Sequence, residues 1–383
     1  MALHFDPAEY KARVKAVTRE LARQQLDGLL MFHQESMYYL TGYDTFGFCF
    51  FQCLYLGADG RIALLTRLPD RRQAQHTSNI KDIRVWSDQH GAEPAIQLKD
   101  MLESLGVKGK RLGIETNAYG LTHYNGKAVE AALSGFAKLT EASDLVSRIR
   151  CVKSPAELKY VRKAGKLGDA ALVAAIEATH AGADEGDILA AQQAAVFSGG
   201  GDYPGNEFII GSGNDALLCR YKSGRRKLSK SDQLTLEFAG VYRHYHAALM
   251  RTFVIGKPTK QHIHMHKAAV EALTACEAAL TPGHTAGDVF DAHARVMDAH
   301  GLKDHRMNAC GYALGAKFTP SWMDFPMFYT GNPVEMQPGM VFFVHMILMD
   351  SDSGNAQTLA RTYIVGEKKP EPLSKYPLDL IVR

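Results

Sequence analysis

Apolar positions along the first 150 residues switch repeatedly between helical and extended spacing. Residues 7–26 (PAEYKARVKAVTRELARQQL) place apolar side chains every three or four positions, with Pro7 suited to a first turn, and predict an amphipathic helix. DGLLMF (27–32) follows as an apolar run of strand length. FFQCLYL (50–56) and RIALLTR (61–67) are β-rich runs separated by GADG, a hairpin signal. RLGIET (111–116) predicts another strand, flanked by helices over 96–105 and 122–134. Strands alternating with helices define an α/β domain over residues 1–150.

The pattern changes near Arg150. In SPAELKYVRKAGKLGDAALVAAIEAT (154–179), Ser154 is placed to cap, Pro155 to open the first turn and Glu157 to close a capping box. A long amphipathic helix is expected there, and a second over 185–197, before the Gly-rich stretch SGGGDYPGNEF (198–208). β-rich runs at 207–211, 233–242 and 248–255 precede helices near 260–280 and 285–300, then strands at 340–349 and 358–365. Strands and helices are grouped rather than alternating, so residues 151–383 predict an α+β domain.

Composition narrows the class of protein. Of 383 residues, 46% are hydrophobic and 22% charged, the balance of a globular protein with a sizeable core. A formal charge of +3 argues against a nucleic-acid binder selected by charge alone. Cys49 and Cys53 form a C-x3-C pair with no second pair to complete a zinc ribbon, so the six cysteines are expected to be reduced. The N-terminus lacks the apolar core of a signal peptide, and no run of eighteen apolar residues offers a membrane span. A cytoplasmic protein is the expectation.

Signature motifs of common enzymes are missing: there is no Walker loop, G-x-S-x-G, H-E-x-x-H or strand-following G-x-G-x-x-G. The densest polar constellation is LTLEFAGVYRHYHAALMRT (234–252). Strand alternation would send Tyr242, His244 and His246 to one face, and Arg243 with Tyr245 to the other. Glu237 sits within an apolar strand start, and a buried carboxylate requires either a partner, for which Arg251 is one candidate, or a raised pKa.

That stretch resembles the strand pair of the creatinase, prolidase and methionine-aminopeptidase superfamily. RCVKSPAELKYVRKAG (150–165) resembles its domain-linking helix start, and FIIGSGNDALLCRY (208–221) its substrate-pocket strand and loop. GYALG (311–315) stands where the metal enzymes carry G-H-G-I-G, and QPGMVFFVHM (337–346) where they carry E-P-G-M-V-F-x-x-E-P. GYD (42–44), QCLYLG (52–57) and LEFAGVYRHYHA (236–247) are similar to the ectoine-hydrolase branch. The resemblance spans the chain and implies a pita-bread C-terminal domain behind a smaller creatinase-type α/β domain.

Carried over position by position, the five metal ligands of the superfamily's peptidases fall on Glu237, Ala248, Tyr312, His345 and Ala360. Alanine offers no donor atom, so the resemblance implies neither a dinuclear centre nor a resident cofactor. The creatinase pattern is altered too: its acid/base histidine falls on Arg220, and two of its glutamates on Met250 and His345. The ectoine-hydrolase glutamate is kept as Glu237, while that branch's histidine (again Arg220) and its glutamate near 360 are absent.

The expected activity is metal-independent hydrolysis of a C–N bond, in an amidine, cyclic amidine or amide of a small carboxylate-bearing substrate. Glu237 would attack carbon or activate water, His345 or His246 would move protons, and Tyr312 would donate to the developing anion. Arg220 would clamp the substrate carboxylate, with Trp322 and Phe325 lining the pocket, and the resemblance implies that Phe48 or Phe50 reaches into the pocket of a partner subunit. Arg220 and GRRK (224–227) also read as a solvated basic turn, and His345 as a core histidine. A catalytically silent binding protein and an Xaa-Pro peptidase with unusual ligands are the alternatives. The resemblance further implies a homodimer acting on a small molecule, with no nucleic-acid or membrane partner.

Overall fold

The computed structural model describes residues 3–220 and 226–383. The chain divides into two compact units, Met1–Arg150 and Cys151–Arg383.

In the first unit the 3.6-residue pattern of the N-terminus becomes α1 (Pro7–Arg23), which buries Tyr10, Arg13, Val17 and Leu21. Strand β1 (Gly28–Met31) leads into α2 (Gln34–Thr41), buried on every side and ended by Gly42 in the left-handed conformation. The hairpin of β2 (Cys53–Gly57) and β3 (Ile62–Arg67) forms in register, Leu54 opposite Leu64. After α3 (Arg71–Thr77) come β4 (Asp82–Trp86), α4 (Pro94–Ser104), β5 (Arg111–Ile114), α5 (His123–Leu133), β6 (Lys138–Glu141) and α6 (Asp144–Arg150). The six strands form one mixed sheet in the order β4-β3-β2-β1-β5-β6. Its two faces carry separate apolar clusters, one around Leu30, Leu98 and Val129 and one around Val17, Leu40 and Leu64. Short polar strands such as β6, with sequence KLTE, carry no period-2 signal and are formed by pairing with a buried neighbour.

The second unit opens on α7 (Pro155–Ala178), whose Ser154–Glu157 capping box is present on both sides. Helix α8 (Glu185–Ser198) packs along it. Strands β7 (Ile209–Ser212), β8 (Asp232–Tyr242) and β9 (Tyr245–Ile255) are followed by α9 (Lys260–Ala279) and α10 (Ala286–Ala299), each capped by a threonine. Strands β10 (Gly311–Ala313), β11 (Asp324–Met327), β12 (Val341–Asp350) and β13 (Asn355–Ile364) complete the main path β11-β10-β12-β13-β9-β8-β7. Helices α9 and α10 cover one face of β12 and β13 through a cluster including Leu273, Phe342, Val344 and Leu359. On β8, Gly240 admits α7 so closely that a Cβ there would stand 2.0 Å from the Ala164 carbonyl oxygen. Among the described residues, no helix is long and apolar enough to cross a membrane.

Two sequence expectations are corrected here. Strand β9 begins at Tyr245, not 248, because Arg243 and His244 make a two-residue turn with φ of 53° and 65° and no Gly or Asn to announce it. The face parity therefore resets: Tyr242 pairs with Tyr245 on one face, and His246 pairs with Val241. In the first unit the aromatics Tyr38, Tyr39, Tyr43, Phe48 and Phe51 are buried, whereas Phe46 and Phe50 are exposed.

Candidate active site

The candidate chemistry lies on one rung of the curled sheet. His345 of β12 pairs with Ala360 of β13, Ala360 with Met250 of β9, and Met250 with Glu237 of β8. Paired residues share a face, so these four side chains project together, with the pair Ala239–Ala248 two positions along. Tyr312 enters from β10, opposite Phe343 of β12. A flat sheet would hold β10 and β8 about 19 Å apart, four spacings of about 4.8 Å. The hydroxyl of Tyr312 nevertheless donates to Glu237 Oε1 at 3.3 Å, so the sheet curls around the site.

Glu237 is buried, and desolvation raises its pKa to about 7 against the opposing pull of the Arg220 guanidinium and the Tyr312 hydrogen bond. Arg220 is itself exposed, and its charge acts on Glu237, Tyr312 and His345 alike. Burial pushes the Tyr312 phenol well above its ordinary value, so it stays a donor. Trp322 Nε1 donates to the Tyr312 hydroxyl at 2.8 Å, leaving the phenol's own proton for Glu237. Burial also lowers His345 to about 3, and its Nδ1 has no protein partner. In the resting protein His345 is a neutral imidazole, 5.7 Å from the Tyr312 ring between centroids.

His246 has a different position from the proton shuttle expected of it. Its Nε2 accepts from the Gly205 amide at 2.8 Å, and Nδ1 faces the Gly315 carbonyl at 3.4 Å. Burial lowers it to about 3, so both nitrogens of a neutral ring are engaged by backbone. It thereby fixes the 205–206 loop, where Asn206 Oδ1 accepts the Trp322 amide at 3.2 Å. The order is His246, Gly205, Asn206, Trp322, Tyr312, Glu237. Sequence reading missed Gly205 and Asn206, which showed only as part of a Gly-rich stretch.

Arg251 does not pair with Glu237. It pairs with Leu236 across the ladder and points from the opposite face. Phe325 lies half-buried on β11, three residues beyond Trp322. Phe48 and Phe50 belong to the first unit, Phe48 edge-on to Phe46 and Phe50 beneath the Arg67 guanidinium at 4.1 Å. In the basic turn, Arg226 is ion-paired with Asp232 at 2.6 Å while staying partly exposed, and Lys227 is exposed; Tyr221, Gly224 and Arg225 lie outside the described residues. The cysteines are free thiols.

A curled sheet backed by paired helices, following a smaller α/β unit in the sequence, defines a two-domain pita-bread protein. Residues 159–367 match metallopeptidase family M24 and residues 13–152 the creatinase/prolidase N-terminal domain. The chain belongs to metallopeptidase family M24. An uncharacterized hydrolase/peptidase of Sinorhizobium fredii is 28% identical over 396 residues, covering 100% of this chain and 99% of the relative. The ectoine hydrolase of Halomonas elongata is 26% identical, covering 100% and 99% respectively. Among solved structures, the prolidase from Thermococcus sibiricus matches with a TM-score of 0.88 at 20% identity over 98% of this chain and 99% of that one. The Xaa-Pro dipeptidase from Bacillus anthracis matches at 0.85 and 18% identity, covering 98% and 100%. These structural likenesses establish the fold.

The family name implies metal, and the donor set does not fit one. On the rung, Ala360 and Met250 separate His345 from Glu237, and Ala248 stands at the next position. Among the described residues, no three His, Cys, Asp or Glu side chains gather as a metal-binding group.

Proposed function

We propose that this chain is a metal-independent hydrolase that cuts a C–N bond in a small carboxylate-bearing amidine, cyclic amidine or amide. The observation that carries the reading is Glu237: buried, set near pKa 7, and held by a Trp322–Tyr312 hydrogen-bond chain. A carboxyl of that pKa is both ionised enough to accept a proton and acidic enough to return it at neutral pH.

Glu237 takes a proton from water as the water oxygen bonds to the substrate carbon. The carbon's π pair moves to its oxygen or nitrogen, to which the Tyr312 hydroxyl turns as protonation of Glu237 releases it. Collapse breaks the C–N bond, and the leaving nitrogen takes the proton from Glu237, restoring the carboxylate. His345, neutral and with a free Nδ1, orients the substrate from the facing strand, and exposed Arg220 receives its carboxylate. The full-length relationship to an ectoine hydrolase supports this substrate class.

The test is a panel of carboxylate-bearing amidines, cyclic amidines (ectoine among them) and N-acyl amino acids, assayed after chelation. Turnover should persist without metal, and Glu237→Gln should lower kcat by about 10²–10⁴-fold. Retained turnover in that variant, or activity that appears only when Zn, Mn or Co is restored, overturns the reading. Binding without turnover throughout the panel would make the chain a binding protein instead.

A further inference from the structure

Behind the rung that carries Glu237 lies a buried guanidinium, Arg251, with no ion-pair partner among the described residues, flanked by half-buried Arg361 and His266. Arg251 on β9 is 1% exposed, one of the largest fully enclosed side chains in the protein. Its Nη1 donates to the carbonyl oxygens of Met250 at 2.8 Å and Ala360 at 2.7 Å. This is where the β9–β13 ladder is confined to two residue pairs, before Ile381–Val382 takes over as the neighbour of β9. The guanidinium fills the fork between the strands.

The remaining donors have no acceptor. Arg251 Nε and Nη2, Arg361 Nε and His266 Nδ1 are all buried without a hydrogen-bond partner. Arg361 follows Leu359 by two positions on β13 and shares the outer face with Arg251, while His266 comes from α9, which packs on that strand. Arg361 is thus a diagonal neighbour of Arg251 across the strand pair, and the charge of Arg251 also acts on His266. Neither guanidinium has an ion pair with a described carboxylate. The acid nearest Arg251, Asp169, is committed to the Ser374 hydroxyl at 2.5 Å and the Lys375 amide at 2.9 Å. Asp379, facing His266, is exposed and screened by solvent. The C-terminal segment closes the cluster, with the Tyr376 carbonyl accepting from Arg361 Nη2.

Buried Arg251 and half-buried Arg361 repel, and each orphaned N–H of a charged group is costly to leave without an acceptor. A water relieves the hydrogen bonding but not the charge. We propose that the space between Arg251, Arg361 and His266 binds a small monovalent inorganic anion of chloride size. Enclosure sets the size, since Arg251 is cut off from solvent. A single negative charge matches Arg251, the one guanidinium cut off from solvent. The bound ion ties β9, β13 and α9 together at the carbonyls of Met250 and Ala360, and so stiffens the floor of the site from behind. It is independent of the reaction at Glu237.

The experiment uses the full chain prepared in gluconate and titrated with sodium chloride or bromide at constant ionic strength. Halide should raise the thermal midpoint by about 3–5 °C per tenfold increase once the site fills, and gluconate should not. Crystals grown with bromide should show its anomalous signal at Arg251 Nε and Nη2. Arg361→Gln should weaken the halide shift, and Arg251→Met should abolish it. Equal midpoints in halide and gluconate overturn the proposal. So does bromide density without a stability shift, which marks an adventitious ion only, or a full halide shift surviving in Arg361→Gln.

Discussion

Tyr312 donates its phenolic proton to Glu237 Oε1 at 3.3 Å across four strand spacings of a curled sheet. The Trp322 indole donates to the same phenol oxygen, so Tyr312 has one direction left for its proton. Replacing it with Phe removes a donor that favours ionised Glu237 and leaves a buried indole N–H without an acceptor. Tyr312→Phe should shift the acid limb of kcat/KM to higher pH, lower kcat by about 10–10²-fold, and cost about 1–3 kcal/mol in urea unfolding.

The pKa of Glu237 also makes stability depend on pH. Its folded value, about 7, lies above its ordinary 4.5, so the folded state binds the proton more tightly. The stabilisation is complete below about pH 4.5 and is lost as pH rises through 7. Wild type should therefore lose stability relative to Glu237→Gln between those limits, on the order of 3 kcal/mol, with no further change above them. Parallel denaturant titrations of the two proteins read the difference directly.

His246 and His345 work in the opposite direction. Both are held near 3, below their ordinary 6.5, so the unfolded chain binds more protons and stability falls as pH drops from 6.5 towards 3. His246→Phe should flatten part of that acid limb while costing about 1–3 kcal/mol at pH 8, because the Gly205 amide loses its acceptor.

Gly205 separates positioning from catalysis. A Cβ there would stand 3.0 Å from the Trp322 backbone nitrogen, displacing the indole without touching Glu237. Gly205→Ala should lower kcat by about 10-fold while leaving the thermal midpoint within a few degrees of wild type. A wild-type kcat in this variant would remove Trp322 from the positioning chain.

Carboxylates at Ala248 and Ala360 face the same interior as Glu237, and both alanines are fully buried. Ala248→Asp combined with Ala360→Glu should destabilise the apoprotein by about 3–5 kcal/mol, as unpaired buried charge does. Added Zn or Mn should then recover stability in this variant and leave wild type unchanged, read as a metal-dependent midpoint.

Residues whose local chemistry fixes their surroundings were legible before any coordinates. The Ser154–Glu157 box started α7 at Pro155, and the β2–β3 hairpin followed from GADG. The Arg243–His244 turn was not legible, because its left-handed backbone is held by long-range partners: the Lys317 amide on the His244 carbonyl and the Phe318 ring stacked on its imidazole at 4.2 Å. That hidden turn reversed the face assigned to the residues beyond it. Glu237 announced itself as a carboxyl in an apolar strand, while the choice between an ion pair and a raised pKa required knowing which face Arg251 takes. Positions 205 and 206 carry no chemical signal, since their role comes only from backbone groups meeting Trp322 in space.

Glycine at 205 and alanines at 248 and 360 concern shape, but the alanines also settle electroneutrality. A floor with carboxylates at 237, 248 and 360 would carry several negative charges and would require a dication to balance them. With methyl groups at two of those positions, a single proton on Glu237 neutralises the interior. That proton is one the solvent supplies at physiological pH, so on the proposed reading acidity, and not a bound dication, sets the resting charge of this site.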